Sequence, residues 1–172
     1  MKNIKLVITD IDGVWTDGGM YYDKHGNEWK KFNTSDSAGV IFLRLSEIPL
    51  AIITGEDTEI VKRRADKLKI DLLYMGVRDK LSVARQICTE MKVSLSDEVA
   101  YIGDDINDIP LLENVAFSAT PANTPEYVQK HAKTVLSKSG GNGAFREFIE
   151  IILKSEGKLD RAIELFLKGL SG

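Results

Sequence analysis

The sequence predicts a doubly wound α/β fold: a mainly parallel, Rossmann-like sheet with helices on both faces. Short apolar runs rich in β-branched residues alternate with longer amphipathic segments, which is the pattern of successive βαβ units. The length of 172 residues allows one domain, which we expect to span 1–172. An apolar fraction of 43% supplies a buried core and excludes disordered and fibrous classes.

Six runs are predicted as strands of this sheet, and four segments between them as crossover helices. The strands are Ile4–Thr9, Leu50–Thr54, Asp71–Met75, Val99–Ile102, Ala116–Ala119 and, more weakly, Thr134–Leu136. The helices are Asp36–Glu47, Asp57–Lys69, Lys80–Met91 and Asn107–Asn114. Residues 139–172 are predicted to form a glycine-rich hinge followed by two further helices, Ala144–Lys154 and Asp160–Lys168.

A predicted β-hairpin, residues 18–33, interrupts the alternation directly after the first strand. Its two runs, Gly18–Asp23 and Glu28–Asn33, are unusually apolar for a projecting loop. Because an isolated hairpin is marginally stable in water, we interpret it as an assembly element that packs against another subunit. The alternative is that it folds back onto the core of its own chain.

Charge and composition limit the partners. With 23 basic and 26 acidic residues, the net charge of −3 leaves no basic surplus to neutralise a nucleic-acid backbone or an anionic membrane. No apolar run approaches the length of a membrane span. A single cysteine, Cys88, allows no internal disulfide, and the apolar opening is too short for a signal peptide. We therefore expect a cytoplasmic protein without nucleic-acid or membrane partners.

Acidic residues follow two of the predicted strands, at the sheet edge where parallel α/β proteins bind ligands. If these carboxylates converge, their mutual repulsion requires a cation, and all-oxygen ligation with few protein ligands favours Mg²⁺ over Ca²⁺. Taken singly, Asp105 could simply cap the following helix, and Asp12 with Gly13 could form a turn. The residues of this acidic group are Asp10, Asp12, Asp104, Asp105 and Asp108.

Lys80 and Thr54 complete the predicted site. A cation in the first turn of a helix opposes the helix dipole, so another interaction is expected to hold Lys80 there. An ammonium group facing a phosphoryl group would provide it, with the Thr54 hydroxyl and backbone N–H groups as further donors. The alternative is a solvated surface lysine.

In this order, Asp10-x-Asp12, Thr54, Lys80 and Gly103-Asp104-Asp105-x-x-Asp108 resemble the four motifs of the haloacid dehalogenase-like phosphohydrolases. The spacing between these motifs leaves room for the hairpin and none for a cap domain, which resembles the capless subclass.

The resemblance implies a role for each motif residue. Asp10 would attack phosphorus and form an aspartyl-phosphate, while Asp12 would act first as general acid and then as general base. Mg²⁺ would bind Asp10, the backbone carbonyl of Asp12, and Asp104. Lys80 and Thr54 would stabilise the developing charge, and Asp105 and Asp108 would orient Lys80 and the metal-bound waters.

The hairpin, Asp36-Ser37-Ala38-Gly39 and the segment from Gly140 to Glu147 are similar to the 3-deoxy-D-manno-octulosonate 8-phosphate phosphatases and their nonulosonate (KDN-type) 9-phosphate relatives. This similarity implies a sugar-acid phosphate substrate and a homotetramer assembled through residues 18–33, in which a neighbour closes each site. Arg146 could be carried by the tail into an active site, or it could be a plain surface residue.

One departure bears on the substrate. The octulosonate enzymes usually carry Arg directly after Thr-Gly, whereas Glu56 follows Thr54 and Gly55 here. Because a carboxylate accepts hydrogen bonds from hydroxyls and repels an acid group, we expect a nonulosonate 9-phosphate, with octulosonate 8-phosphate as the alternative. The substrate carboxylate would then bind Lys67 or Arg64, with Lys67 acting in a neighbouring subunit's site. The alternative is that Lys67 is an ordinary surface residue.

Two hypotheses of other classes stay open at this stage. A phospho-receiver domain also combines acidic residues, a threonine and a lysine, but it accepts phosphate at the end of its third strand, where this chain has Tyr74-Met75-Gly76 and no acid. A non-catalytic assembly module is the other, although such a module could lose its acidic residues and this chain keeps them all.

Overall fold

The computed structural model describes residues 3–170, so Met1, Lys2, Ser171 and Gly172, which the predicted domain 1–172 includes, lie outside the described residues. Its centre is a six-stranded sheet in the order β5-β4-β1-β6-β7-β8, in which every neighbouring pair is parallel. The strands are β1 (Leu6–Thr9), β4 (Leu50–Ile53), β5 (Leu72–Tyr74), β6 (Val99–Ile102), β7 (Phe117–Thr120) and β8 (Thr134–Val135). The predicted fold class is confirmed.

Helices cover both faces of the sheet because successive strand residues point to opposite sides. Val7 packs into one apolar cluster, with residues of α1, α2 and α7, whereas Leu6 and Ile8 pack into the other, with residues of α3 and α5. The helices are α1 (Asp36–Leu45), α2 (Glu59–Leu68), α3 (Lys80–Met91), α4 (Leu95–Glu98), α5 (Ile109–Leu112), α6 (Glu126–Gln129), α7 (Ala144–Ser155) and α8 (Leu159–Gly169).

The predicted helix 107–114 is divided in the structure. A short 3₁₀ turn, Ile106–Asp108, precedes α5, and Asp108 at its end is completely buried. The prediction of a single helix was wrong here because Asp108 turns into the protein to receive hydrogen bonds, which a regular amphipathic helix would not predict. Two of the four-residue helices, α4 and α6, were not predicted, since one turn is too short to establish a 3.6-residue period.

The hairpin contains only two short strands, β2 (Tyr21–Tyr22) and β3 (Glu28–Trp29), which pair antiparallel, and an isolated bridge joins Thr16 to Phe32 at its base. Its apolar side chains are largely exposed: Met20 at 48%, Tyr22 at 63% and Trp29 at 51%. The hairpin therefore presents an apolar surface outward instead of adding it to the core.

The glycine-rich segment before α7 lies against the loop that follows β1. The Gly141 N–H donates to the Val14 carbonyl at 3.0 Å, and a Cβ at Gly140 would lie only 1.7 Å from the carbonyl oxygen of Gly13. Backbone meets backbone here, so this approach requires glycine. The segment interpreted as a hinge thus supports the loop that carries Asp12 and Gly13.

No helix among residues 3–170 combines the length and apolar character that crossing a membrane requires.

Candidate active site

The acidic residues and Lys80 meet at the carboxyl edge of the sheet. Asp10 follows β1 and Thr54 follows β4, while Lys80 opens α3 after β5. The Lys80 ammonium group lies 2.7 Å from Asp10 Oδ2 and 2.6 Å from Asp108 Oδ1, and its side chain is fully buried. Asp10 Oδ1 accepts the Ile11 N–H at 2.8 Å. The solvated-surface alternative for Lys80 is therefore wrong, and the predicted convergence is present.

Asp108 is the centre of a saturated hydrogen-bond network. Its Oδ1 accepts from Lys80 and from the Tyr101 hydroxyl at 2.6 Å, and its Oδ2 accepts the N–H groups of Asp104 at 2.7 Å and Asp105 at 3.0 Å. A carboxylate offers about four acceptor positions, and all are used. Asp108 therefore orients Lys80 and the Asp104 loop. A Cβ at Gly103 would lie 2.5 Å from the Asp108 carboxyl carbon, so only glycine fits there.

Asp104 has unsatisfied acceptor capacity. Its Oδ1 is buried and has no hydrogen-bond partner among the described residues. Gly13, with φ of +77°, approaches so closely that a Cβ would lie 1.8 Å from Asp104 Oδ2. Ligand oxygens of Asp10, Asp104 and Asp108 lie within 4.8 Å of one another. Because Asp108 is saturated, Asp10 and Asp104 are the carboxylates that could bind a hard cation.

Asp12 extends the site toward the hairpin. Its Oδ1 accepts from the Thr16 hydroxyl at 3.3 Å and from the Lys30 ammonium group at 2.7 Å, whereas its Oδ2 is buried without a partner among residues 3–170. Lys30 also lies 3.3 Å from Glu56 Oε2. Lys30, which the sequence analysis did not identify, thus contacts two carboxylates from different loops, Asp12 and Glu56.

A cavity of about 420 Å³ opens above these groups. Buried Thr54 lies in its wall, and its Oγ1 accepts the Glu56 N–H at 3.4 Å, which leaves the hydroxyl proton free to donate elsewhere. The cavity is lined by Asp10, Asp12, Gly13, Gly18, Thr54, Gly55, Glu56, Asp104, Asp105 and Asn107.

The electrostatics of the site favour binding of a cation. Burial, reinforced by the Asp108 carboxylate and opposed by Lys80, raises the pKa of Asp10 to about 7. Burial together with the Asp10 and Asp108 carboxylates raises the pKa of Asp104 to about 8. Burial alone would lower the pKa of Lys80, but its two carboxylate partners more than offset this and the pKa is raised, so the lysine is charged. One ammonium group is thus too little to keep both Asp10 and Asp104 ionised near neutral pH, and a bound cation would stabilise their ionised forms.

Asp105 is exposed on the cavity rim, and its Oδ1 accepts the Ile106 N–H at 2.7 Å. This contact agrees with the simpler interpretation of Asp105 as a helix cap.

Arg64 and Lys67 lie outside the acidic cavity. They line a second cavity of about 460 Å³ beside the hairpin, whose wall also includes Trp29 and Lys30. Arg64 donates to the Asn33 carbonyl at 3.3 Å and to the Ser37 hydroxyl at 3.0 Å.

Arg146 lies on α7, where its Nε is 2.6 Å from Glu150 Oε1. It lines neither of the two cavities that contain the predicted site residues.

Two residues of the site escaped the sequence analysis. Tyr101 lies inside an apolar strand, where an aromatic residue normally indicates core packing, and nothing in the local pattern marks its hydroxyl as a partner of Asp108. Lys30 lies between exposed residues of a projecting hairpin and is brought to Asp12 only by the tertiary fold.

Comparisons with known proteins agree with this geometry. A family model described as haloacid dehalogenase-like hydrolase matches residues 64–148. The 3-deoxy-D-manno-octulosonate 8-phosphate phosphatase of Haemophilus influenzae is 39% identical over 158 residues, covering 92% of this chain and 87% of that protein.

Solved structures are similar over nearly the whole chain. A probable phosphatase from Pseudomonas syringae is 42% identical, with a TM-score of 0.92 and coverage of 96% of this chain and 94% of that one. The octulosonate 8-phosphate phosphatase of Moraxella catarrhalis, solved with a magnesium ion, a phosphate ion and a KDO molecule, is 37% identical, with a TM-score of 0.91 and the same coverage.

Proposed function

The chain belongs to the haloacid dehalogenase-like hydrolases, and from this membership and the geometry of its acidic cavity we infer that it is a Mg²⁺-dependent phosphatase of a 3-deoxy-2-keto sugar-acid phosphate. The observation that carries the proposal is the contact of one buried ammonium group, Lys80 Nζ, with Asp10 beside the unpartnered Asp104 carboxylate. Membership of a hydrolase family also argues against the phospho-receiver hypothesis.

Mg²⁺ fits the donor set of the cavity. Asp10 and Asp104 would supply carboxylate oxygens and Asp12 its backbone carbonyl, and the orphaned Asp104 Oδ1 supports this assignment. All three are hard oxygen donors, as Mg²⁺ prefers. When bound, the ion would neutralise charge on the phosphoryl oxygens and on the converging carboxylates.

The side chains then divide the reaction among them. The Asp10 carboxylate attacks phosphorus and forms an aspartyl-phosphate as the ester P–O bond breaks, and Asp12 gives its proton to the departing sugar oxygen. Water next attacks phosphorus; Asp12 takes the water proton, and the bond between phosphorus and Asp10 breaks to release phosphate. Lys80 and the Thr54 hydroxyl donate to the phosphoryl oxygens throughout.

The substrate assignment rests on the relatives. The curated relatives matched at 37–39% identity are named for 3-deoxy-D-manno-octulosonate 8-phosphate, and this eight-carbon ester is the better supported substrate. A nonulosonate 9-phosphate is the second candidate, favoured by the position of Glu56 on the wall of the acidic cavity, where it can accept sugar hydroxyls. In that case Arg64 and Lys67 would act from a neighbouring chain.

Phosphate release from the two esters, with and without Mg²⁺, tests the function. We expect Mg²⁺-dependent turnover that Asp10→Asn abolishes, and a higher kcat/KM for the eight-carbon ester. A clear preference for the nine-carbon ester would reverse the order of the two candidates. No turnover of either ester would reject the proposed substrate class and leave a non-catalytic assembly module as the better hypothesis.

We also propose that four chains assemble through the hairpin 18–33. Exposed Met20, Tyr21, Tyr22 and Trp29 support this proposal, since a contiguous apolar surface is characteristic of an interface. Light scattering on the wild type and on a Tyr22→Ser/Trp29→Ser double variant tests it. We expect a tetramer that dissociates in the variant; a monomeric wild type would reject the assembly.

A further inference from the structure

Lys30 has no part in the phosphatase chemistry proposed above, yet its ammonium group contacts two residues of the acidic cavity wall, Asp12 and Glu56. It follows β3 on the hairpin, between Trp29 and Lys31, which are exposed. Its own side chain is only 1% exposed. Side chains alternate along extended backbone, so Lys30 turns inward where its neighbours turn outward.

Lys30 lies beside the residue that is proposed to act on the leaving group. Its ammonium nitrogen lies 2.7 Å from Oδ1 of Asp12, the residue proposed to protonate the departing sugar oxygen. Because Asp12 must reach the departing sugar oxygen to protonate it, a group that hydrogen-bonds to Asp12 also lies near the place where that oxygen would bind. The phosphoryl side of the cavity is already supplied with donors by Lys80 and Thr54. The Asp12 side of the acidic cavity, with Lys30 behind it, is therefore left for the sugar.

The hydrogen bonds of Lys30 leave capacity for a ligand. An ammonium group has three N–H donors. Two are directed at Asp12 Oδ1 and, at 3.3 Å, Glu56 Oε2, and the third meets no hydrogen-bond acceptor among residues 3–170. Glu56 is itself part of the cavity wall and offers further acceptor positions. A donor, Lys30, and an acceptor, Glu56, thus lie side by side next to Asp12. Such a pair complements a hydroxyl group, which both accepts and donates a hydrogen bond.

On the basis of the proposed function, we infer that Lys30 and Glu56 together recognise the hydroxyl on the carbon next to the phosphate ester. Lys30 donates to the hydroxyl oxygen, and Glu56 accepts its proton. An octulosonate 8-phosphate carries its ester on the terminal carbon and this hydroxyl on carbon 7; a nonulosonate 9-phosphate carries the hydroxyl on carbon 8. Lys30 is therefore a specificity-determining residue that favours sugar phosphates over simple alkyl phosphates.

The test compares octulosonate 8-phosphate with propyl phosphate, which lacks the hydroxyl but also releases an alkoxide that Asp12 must protonate. We expect Lys30→Met to lower kcat/KM for the sugar-acid ester on the order of 10- to 100-fold more than for propyl phosphate, the range for loss of one charge-assisted hydrogen bond. Most of this difference should be in KM. Lys31→Met is the matched control, because the Lys31 side chain is 65% exposed, and it should leave both values unchanged.

The outcomes separate the two proposals. A wild type that prefers the sugar-acid ester, combined with equal losses on both esters in Lys30→Met, overturns the role of Lys30 alone, because a residue acting only through Asp12 or through folding affects both esters alike. A wild type without that preference overturns the proposed function and this inference together.

If thermal unfolding reveals that Lys30→Met does not fold, Lys30→Arg is measured instead. Its planar donors are placed differently, so a reduced preference is expected and an unchanged one contradicts the inference.

Discussion

The ammonium group of Lys80 lies 2.6 Å from Asp108 Oδ1, and both side chains are completely excluded from solvent. Asp108 also accepts hydrogen bonds from the Tyr101 hydroxyl and from two backbone N–H groups. One carboxylate therefore fixes both Lys80 and the loop that carries Asp104. The positions of Lys80 and of the Asp104 loop in the acidic cavity therefore depend on Asp108, which itself has no acceptor position left for metal or substrate.

Replacing Asp108 tests this dependence. Asp108→Asn puts an amide donor where two backbone N–H groups need an acceptor and removes a buried charge partner of Lys80. Breaking a buried ion pair costs about 3–5 kcal/mol, and a lysine displaced by about 1 Å can lose on the order of 100-fold in kcat. Chemical denaturation and phosphate release measure the two effects. Exposed Asp105→Asn is the control, and equal stability of the two variants would contradict the assigned role of Asp108.

Gly13→Ala tests the close approach of the β1 loop to Asp104. The new Cβ would lie 1.8 Å from Asp104 Oδ2 at a φ of +77°, so the carboxylate must move. We expect Mg²⁺ affinity and turnover to fall on the order of 100-fold. Gly26→Ala is a matched control, with a φ of +82° and nothing within 4 Å, so it carries the backbone strain alone. Similar Mg²⁺ affinities in calorimetry for the two variants would refute the steric explanation.

The site residues that lie in motifs could be predicted from the sequence, because each follows a strand and parallel strands end at one edge. Asp10, Thr54 and Lys80 meet for that reason. Lys30 and Tyr101 could not be predicted, since their contacts are set by tertiary packing between segments distant in the chain. The division of helix 107–114 was missed for the same reason, because the buried network around Asp108 overrides the local periodicity.

The raised pKa values of Asp10 and Asp104 predict how Mg²⁺ stabilises the protein at different pH. Metal-free, these carboxyl groups have pKa values of about 7 and about 8, above their usual value of 3.8, mainly because of burial. Their contribution to stability is therefore lost progressively as pH rises from about 4, and the loss is complete once both are ionised above 7–8. Mg²⁺ binds the ionised form, so the Mg²⁺-induced increase in Tm should be larger at pH 8.5 than at pH 6. Asp104→Asn should remove most of the increase; a larger increase at pH 6 would contradict the assignment.

Asp36 gives a separate prediction that does not involve the proposed metal ligands. Its Oδ1 accepts the Arg146 N–H at the start of α7, its Oδ2 is buried without a partner among the described residues, and burial raises its pKa to about 6. Stability should fall by about 3 kcal/mol as pH rises from 4 to 6 and then level off. Denaturation at several pH values should find this dependence missing in Asp36→Asn and kept in the exposed control Asp57→Asn. The same slope in all three proteins would argue against it.

The central claim is that Asp10 is the nucleophile and Asp12 the acid and base, and trapping the covalent intermediate tests it most directly. Acetyl phosphate needs no proton for its leaving group, so Asp12→Asn should form the aspartyl-phosphate in Mg²⁺ and fail to hydrolyse it. Peptide mass spectrometry should then find one phosphoryl group on Asp10 of Asp12→Asn, with none in the Asp10→Asn/Asp12→Asn double variant and only transient labelling of the wild type. Absence of a phosphoryl group on Asp10, or its presence on another residue, would contradict the account.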